Sequence, residues 1–244
     1  MSRYWLPTVL LGAIGFLAAV VLISFPLKAA DPAPVPVTKV GAADHDWPQW
    51  RGPNRDGISL DTGLMKKWPD GGPPFLYCMR EVGGGYCPPT IVGDRMYITG
   101  RFEKNEAYLM AFDLPKPLPK ASNVTDASEL PVAGKMVWKE RFGNSCNGGE
   151  HAAPTVVGDQ IFVMSGNSDV AAFNTSGKML WSHNLKQDFK AHIQTNGDYG
   201  FNESPLVDGD KVIVCPGTAE ACMVASGTFV LTRSVRSCVI AMLP

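Results

Sequence analysis

The sequence predicts an all-β chain built from repeated four-stranded sheets, and three observations carry that prediction. First, one phrase recurs at Pro89–Gly100, Pro154–Gly166 and Pro205–Gly217: a short apolar run, a Gly-Asp pair and a second apolar run. β-Branched residues flanking a dipeptide that tolerates positive φ are the signature of a β-hairpin. Second, the phrase returns at intervals of 65 and 51 residues, counted from Gly93 to Gly158 to Gly209, and a repeat near that period points to an array of similar sheets. Third, no stretch past residue 30 carries a long helical period, and 25 Gly with 20 Pro suit a chain of many tight turns.

The elements follow in order along the chain. Arg3 precedes an apolar run from Tyr4 to Leu27. The run is long for a signal-peptide core and about right for one membrane span. Residues 1–30 therefore read as a signal peptide or signal anchor, forming a hydrophobic helix that makes the membrane a partner. No cysteine precedes Cys78, so nothing after the run suits lipidation. Residues 31–45 open with Asp31-Pro32-Ala33-Pro34-Val35-Pro36, a stiff Pro-rich linker. Residues 46–72 form a Trp- and Gly-rich lead-in expected on the flank of the array. Phe75–Arg80 reads as a lone strand.

Repeat one spans about residues 85–142, with an exposed loop at 114–132 rich in Pro, Ser and Lys. Repeat two spans about 150–185. In both, the hairpin is followed by a third apolar run, Ala107–Asp113 or Asp169–Asn174, then a turn and Gly-Lys-x-x-Trp ending at Trp138 or Trp181. Each unit thus reads as four strands, the last closing on a Trp that packs between neighbouring sheets and buries a large apolar ring there. Repeat three starts near Phe201. Its grammar breaks after Ala225, and residues 226–244 read as a non-repeat tail produced by a frameshift or truncation. Four-stranded sheets repeated in this way are the blades of a β-propeller. Residues 46–225 would then hold about two and a half blades where closed propellers hold roughly 4–8.

The pattern Ala-Phe-Asn-x-x-Gly-Lys-x-x-Trp after a Gly-Asp hairpin resembles the pyrroloquinoline-quinone-like (PQQ-like) propeller repeat. That family includes quinoprotein dehydrogenases and BamB, an outer-membrane-protein assembly factor. The stretch Asp46-Trp47-Pro48-Gln49-Trp50-Arg51-Gly52-Pro53-Asn54-Arg55-Asp56-Gly57 resembles the opening of exported propeller proteins of planctomycete-type bacteria. The resemblance implies an exported protein, periplasmic, membrane-anchored or secreted. It does not decide activity, because propellers host many unrelated functions.

Composition narrows the function classes. With 22 basic and 23 acidic side chains, the chain lacks the basic excess of a nucleic-acid binder. Six cysteines show no CxxC spacing and no paired-His motif, so no zinc site is expected. The cysteine spacings match no known disulfide frame, so none is expected; Cys78 and Cys87, flanking a Gly-rich turn, are the one pair to test.

Aligning the repeats on Pro89, Pro154 and Pro205 puts Tyr86, His151 and Asn202 at one position, with Glu150 one place before and Glu203 one place after. The first strand of a propeller blade is innermost, so these five residues are expected at one mouth of the central channel, a plausible ligand site. His151 beside Glu150 has the chemistry of a base or metal ligand; lining a wet channel and capping strand starts is the structural alternative. Asp94, Asp159 and Asp210 are read as turn residues. The expected function is a non-catalytic exported scaffold or binding module, with a possible protein partner and neither catalytic residues nor cofactor. The alternative implied by the resemblance is an alcohol or sugar dehydrogenase using pyrroloquinoline quinone with calcium. The adjacent cysteines typical of the family's alcohol dehydrogenases are absent from this sequence.

Overall fold

The computed structural model describes residues 45–70, 72–120, 126–192 and 199–217, and the backbone of 224–227 and 230–231. The predicted hydrophobic helix and most of the Pro-rich linker lie outside the described residues. Among the described residues no helix is long and apolar enough to cross a membrane.

Three antiparallel four-stranded sheets follow one another. Sheet one comprises β1 (Thr90–Val92), β2 (Arg95–Phe102), β3 (Glu106–Asp113) and β4 (Lys135–Asn144). Sheet two comprises β5 (Thr155–Val157), β6 (Gln160–Met164), β7 (Asp169–Asn174) and β8 (Met179–Asn184). Sheet three comprises β9 (Leu206–Asp208), β10 (Lys211–Val214), β11 (Val224–Gly227) and β12 (Val230–Leu231). Each sheet runs in chain order from its first strand to its fourth.

The three Gly-Asp pairs are two-residue hairpin loops, and Gly93, Gly158 and Gly209 have φ of 56°, 59° and 58°. Those values sit in the left-handed region that glycine enters without a Cβ clash. The first strands β1, β5 and β9 touch in succession, so the sheets converge on their first strands.

The central strands bury both faces, which is why they read as nearly unbroken apolar runs. Alternation sends Leu109 and Ala111 of β3 toward sheet two, where they meet Val156, Ile161, Val163, Ala171 and Phe173. Met110 and Phe112 face the other way, onto Met96, Met79 and Val82. In β7, Val170 and Ala172 face clusters that include Val214, Val207 and Val212 of sheet three.

The third repeat forms a four-stranded sheet: β11 pairs with β10 from Val224 to Ser226, and β12 pairs with β11. Strand pairing therefore crosses the 225/226 boundary, and three sheets replace two and a half. Backbone hydrogen bonds need no Gly-Lys-x-x-Trp signature, so a strand forms where the side-chain pattern has lapsed.

The segment Phe75–Arg80 is no continuous strand, with isolated bridges at Phe75 and Cys78. Cys78 N–H donates to the Pro131 carbonyl oxygen and Ala133 N–H to the Cys78 carbonyl oxygen, which lays Met79 over the outer face of sheet one. The near-absence of helix expected past residue 30 holds, with one short α-helix among the described residues, α1 (Leu185–Phe189), whose Asn184 cap accepts from Gln187 N–H. Cys78 and Cys87 are both free thiols, so no 78–87 bridge forms.

Candidate functional site

The loops entering β1 and β5 are fastened to each other by backbone. Tyr86 N–H donates to the Glu150 carbonyl oxygen at 2.7 Å, and Glu150 N–H donates to the Gly84 carbonyl oxygen at 3.3 Å. Gly85 permits this approach: a Cβ there would lie 2.3 Å from the Glu150 carbonyl oxygen.

The join brings the Tyr86 and His151 rings into a stack, with centroids 5.3 Å apart and planes at 30°. Tyr199 meets the other side of His151 edge-on at 5.8 Å. Tyr86 is 75% and Tyr199 59% exposed, so two tyrosine rings stand open to solvent around a half-buried imidazole. His151 Nε2 is buried without a hydrogen-bond partner, and desolvation lowers its pKa and favours the neutral ring. Asn202 is exposed beside them; its amide nitrogen donates to the Tyr199 carbonyl oxygen at 2.5 Å.

The two carboxylates expected at the same mouth turn away from it. Glu150 is fully buried. Its Oε2 accepts from Gly166 N–H at 3.2 Å while Oε1 has no partner. Burial pushes its pKa up to about 7, against the opposing pull of Ser145 and the Gly166 N–H, with Asp169 adding to the rise. Because Glu150 bonds toward Gly166 and His151 Nε2 is unpaired, the two adjacent residues form no acid–base pair.

Glu203 Oε1 accepts from Cys215 N–H at 2.5 Å, tying the loop before β9 to the end of β10; burial raises its pKa too. Cys87, at the matching place in repeat one, donates to the Ala152 carbonyl oxygen at 3.1 Å. Desolvation drives its thiol to about 11, which leaves it protonated and poorly nucleophilic at neutral pH.

The repeat tryptophans sit at equivalent joints, half-buried rather than fully buried. Trp138 crosses to sheet two: Nε1 donates to the Thr175 carbonyl oxygen at 3.1 Å, and the ring stacks on Phe173 at 6.5 Å and 17°. Trp181 packs against Phe162 at 6.1 Å. It also lines a small cavity of about 70 Å³ with Val157, Val207 and Val212, between sheets two and three.

Four features were not found by sequence reasoning. Thr90 and Thr155 are fully buried, and their hydroxyls donate to the carbonyl oxygens of Pro154 and Pro205 at 2.6 and 2.7 Å. Each hydroxyl thereby links one first strand to the loop entering the next. The repeated Pro-Thr was the available signal; Leu206 takes the third position and is exposed. Tyr199 lies outside the repeat phrase and left no signal.

A polar cleft of about 520 Å³ opens beside β8 and α1, where His183 Nδ1 meets Asp188 at 3.0 Å. Among the described residues no group of three or more His, Cys, Asp or Glu side chains is arranged to hold a metal ion. The fourth feature is the course of residues 46–57. These do not pack on the outer flank but run across the first strands: Trp47 pairs with Ile91, Val156 N–H donates to the Pro48 carbonyl oxygen, and Arg55 donates to the Val207 carbonyl oxygen.

No protein family matches the chain, and no curated protein matches it. Among solved structures it is similar to a europium-containing methanol dehydrogenase, with a TM-score of 0.49 and 16% identity over 78% of this chain. The chain spans 29% of that protein's length.

Proposed function

We propose that the chain is a partial PQQ-like β-propeller acting as a non-catalytic exported scaffold or binding module, attached to or targeted through the membrane by residues 1–30. The observation that carries this reading is the division of labour at the mouth. Exposed rings from Tyr86 and Tyr199 flank a neutral His151, whereas Glu150 and Glu203 each commit one carboxylate oxygen to a backbone N–H, that of Gly166 or of Cys215. Exposed, rigidly seated tyrosines offer contact area at low conformational cost, as binding surfaces do. General acid–base chemistry needs a carboxylate or imidazole within reach of substrate, and here the carboxylates face inward. Calcium binding takes 6–8 oxygen ligands. Glu150 and Glu203 bond to different backbone N–H groups, which supports the reading without quinone and calcium.

The test is equilibrium dialysis and absorbance titration of the full chain with pyrroloquinoline quinone and calcium, followed by dye-linked assay with alcohols and sugars. No retained quinone and no turnover are expected. Stoichiometric quinone with substrate-dependent dye reduction would establish the dehydrogenase instead.

A further inference from the structure

We infer that residues 46–57 are an axial strap, a preorganised loop that fastens all three sheets through equivalent points on their first strands. Ile91, Val156 and Val207 each stand two places before the hairpin glycines Gly93, Gly158 and Gly209, and the strap engages all three. Trp47 and Ile91 exchange two backbone hydrogen bonds, at 2.8 and 3.0 Å. Val156 N–H donates to the Pro48 carbonyl oxygen at 2.8 Å, and the Arg55 guanidinium donates to the Val207 carbonyl oxygen. The Asp46 carboxylate accepts from Gly93 N–H at 2.7 Å, holding the hairpin turn of sheet one. First strands are edge strands with unpaired backbone groups, and the strap supplies partners to those edges from within the same chain.

The loop is shaped before it docks. Gly52 N–H donates to the Gln49 carbonyl oxygen, Arg55 N–H to that of Gly52, and Gly57 N–H to that of Arg51. Gln49, 3% exposed, accepts from Arg55 Nε at 3.0 Å and donates to the Pro53 carbonyl oxygen at 3.2 Å. The Trp47 ring lies over Gly52, where a Cβ would fall 2.8 Å from it in a backbone of φ +80°. A loop ordered by its own bonds pays less to bind.

The strap matters most for sheet three, which meets sheet two across a small cavity lined by Val157, Phe162, Trp181, Val207 and Val212. Arg55 reaches that sheet from a segment whose other end is paired to sheet one. The strap lies toward the hairpin-turn end of the first strands, and Tyr86 and His151 stand before those strands begin.

Hydrogen exchange on the full chain tests this. In the unaltered protein the Ile91 and Val156 amides should exchange at least about a hundredfold more slowly than exposed loop amides. Arg55→Ala should speed exchange about tenfold at Lys211–Val214 and also at Val156, which Arg55 does not touch; Arg55→Lys, which keeps charge but loses the planar fork, should do so partly. Loop-like exchange of Ile91 and Val156 in the unaltered protein would overturn the inference even if the variants do not fold. So would an Arg55→Ala effect confined to residues flanking position 55.

Discussion

Glu150 is where pH acts most directly on this fold. Its pKa is about 7 in the folded chain against an ordinary 4.5. Between those values the folded protein keeps a proton that the unfolded chain has lost, so stability falls as pH rises from about 4.5 to about 7 and levels off above. A shift of that size corresponds to on the order of 3 kcal/mol. Glu150→Gln, which copies the protonated form, should flatten the fall. Urea midpoints at pH 5 and pH 7.5 that drop equally in both proteins would contradict it.

His151 acts in the opposite sense. Burial lowers its pKa, so its contribution is present above the ordinary value near 6.5 and is lost as pH falls through the folded value. The buried threonines give a second residue-scale prediction. Thr155→Val keeps the shape but leaves the Pro205 carbonyl oxygen without its hydroxyl donor, and should cost about 1–3 kcal/mol in urea unfolding. An unchanged midpoint would show that water takes the hydroxyl's place.

At the scale of elements, the tryptophan joints rest on a shared irregularity. The β3–β4 register jumps from Ala111↔Trp138 to Phe112↔Met136, and the β7–β8 register from Ala172↔Trp181 to Phe173↔Met179. One residue, Val137 or Leu180, is extra in each, a β-bulge beside the Trp that re-aims the side chain. Trp138→Ala removes a ring stack and a hydrogen bond to sheet two. Because the ring is only half-buried, it should cost about 2 kcal/mol rather than the 3–5 of a fully buried aromatic. Trp181→Ala, beside a cavity already present, should cost less. Paired chemical melts decide the order, and a larger loss at 181 would refute it.

The hairpins were legible because two-residue Gly-Asp turns and β-branched flanks act locally. The bulges were not, because an extra residue is defined only against the opposite strand. α1 escaped because five residues are too few to show a helical period. The end of β11 and all of β12 escaped because pairing there is carried by backbone that no side-chain motif announces.

At the scale of the molecule, the repeat alignment sets Tyr86, His151 and Asn202 at equivalent positions, since it transfers strand starts from one sheet to the next, and the structure stacks the Tyr86 and His151 rings. It could not show that Glu150 and Glu203 point inward, because orientation depends on partners such as Gly166 and Cys215 that the alignment does not pair with them. The same limit hid the strap, whose Arg55–Val207 contact spans 152 residues.

The array also leaves apolar surface uncovered, though not where open sheet faces would put it. Met79 and Val82 cover the outer face of sheet one, while Ile58, Leu60, Leu64, Met65 and Trp68 are each more than half exposed on the segment after the strap. Exposed apolar surface of this kind promotes association. The full chain in detergent should therefore sediment as concentration-dependent oligomers. Replacing Leu64, Met65 and Trp68 together with serine in the same detergent should shift it toward monomer without changing its far-UV circular dichroism. If the triple variant associates as strongly as the unaltered chain, the driving surface lies elsewhere; if the unaltered chain is a monodisperse monomer at every concentration, the exposed segment is no adhesive surface.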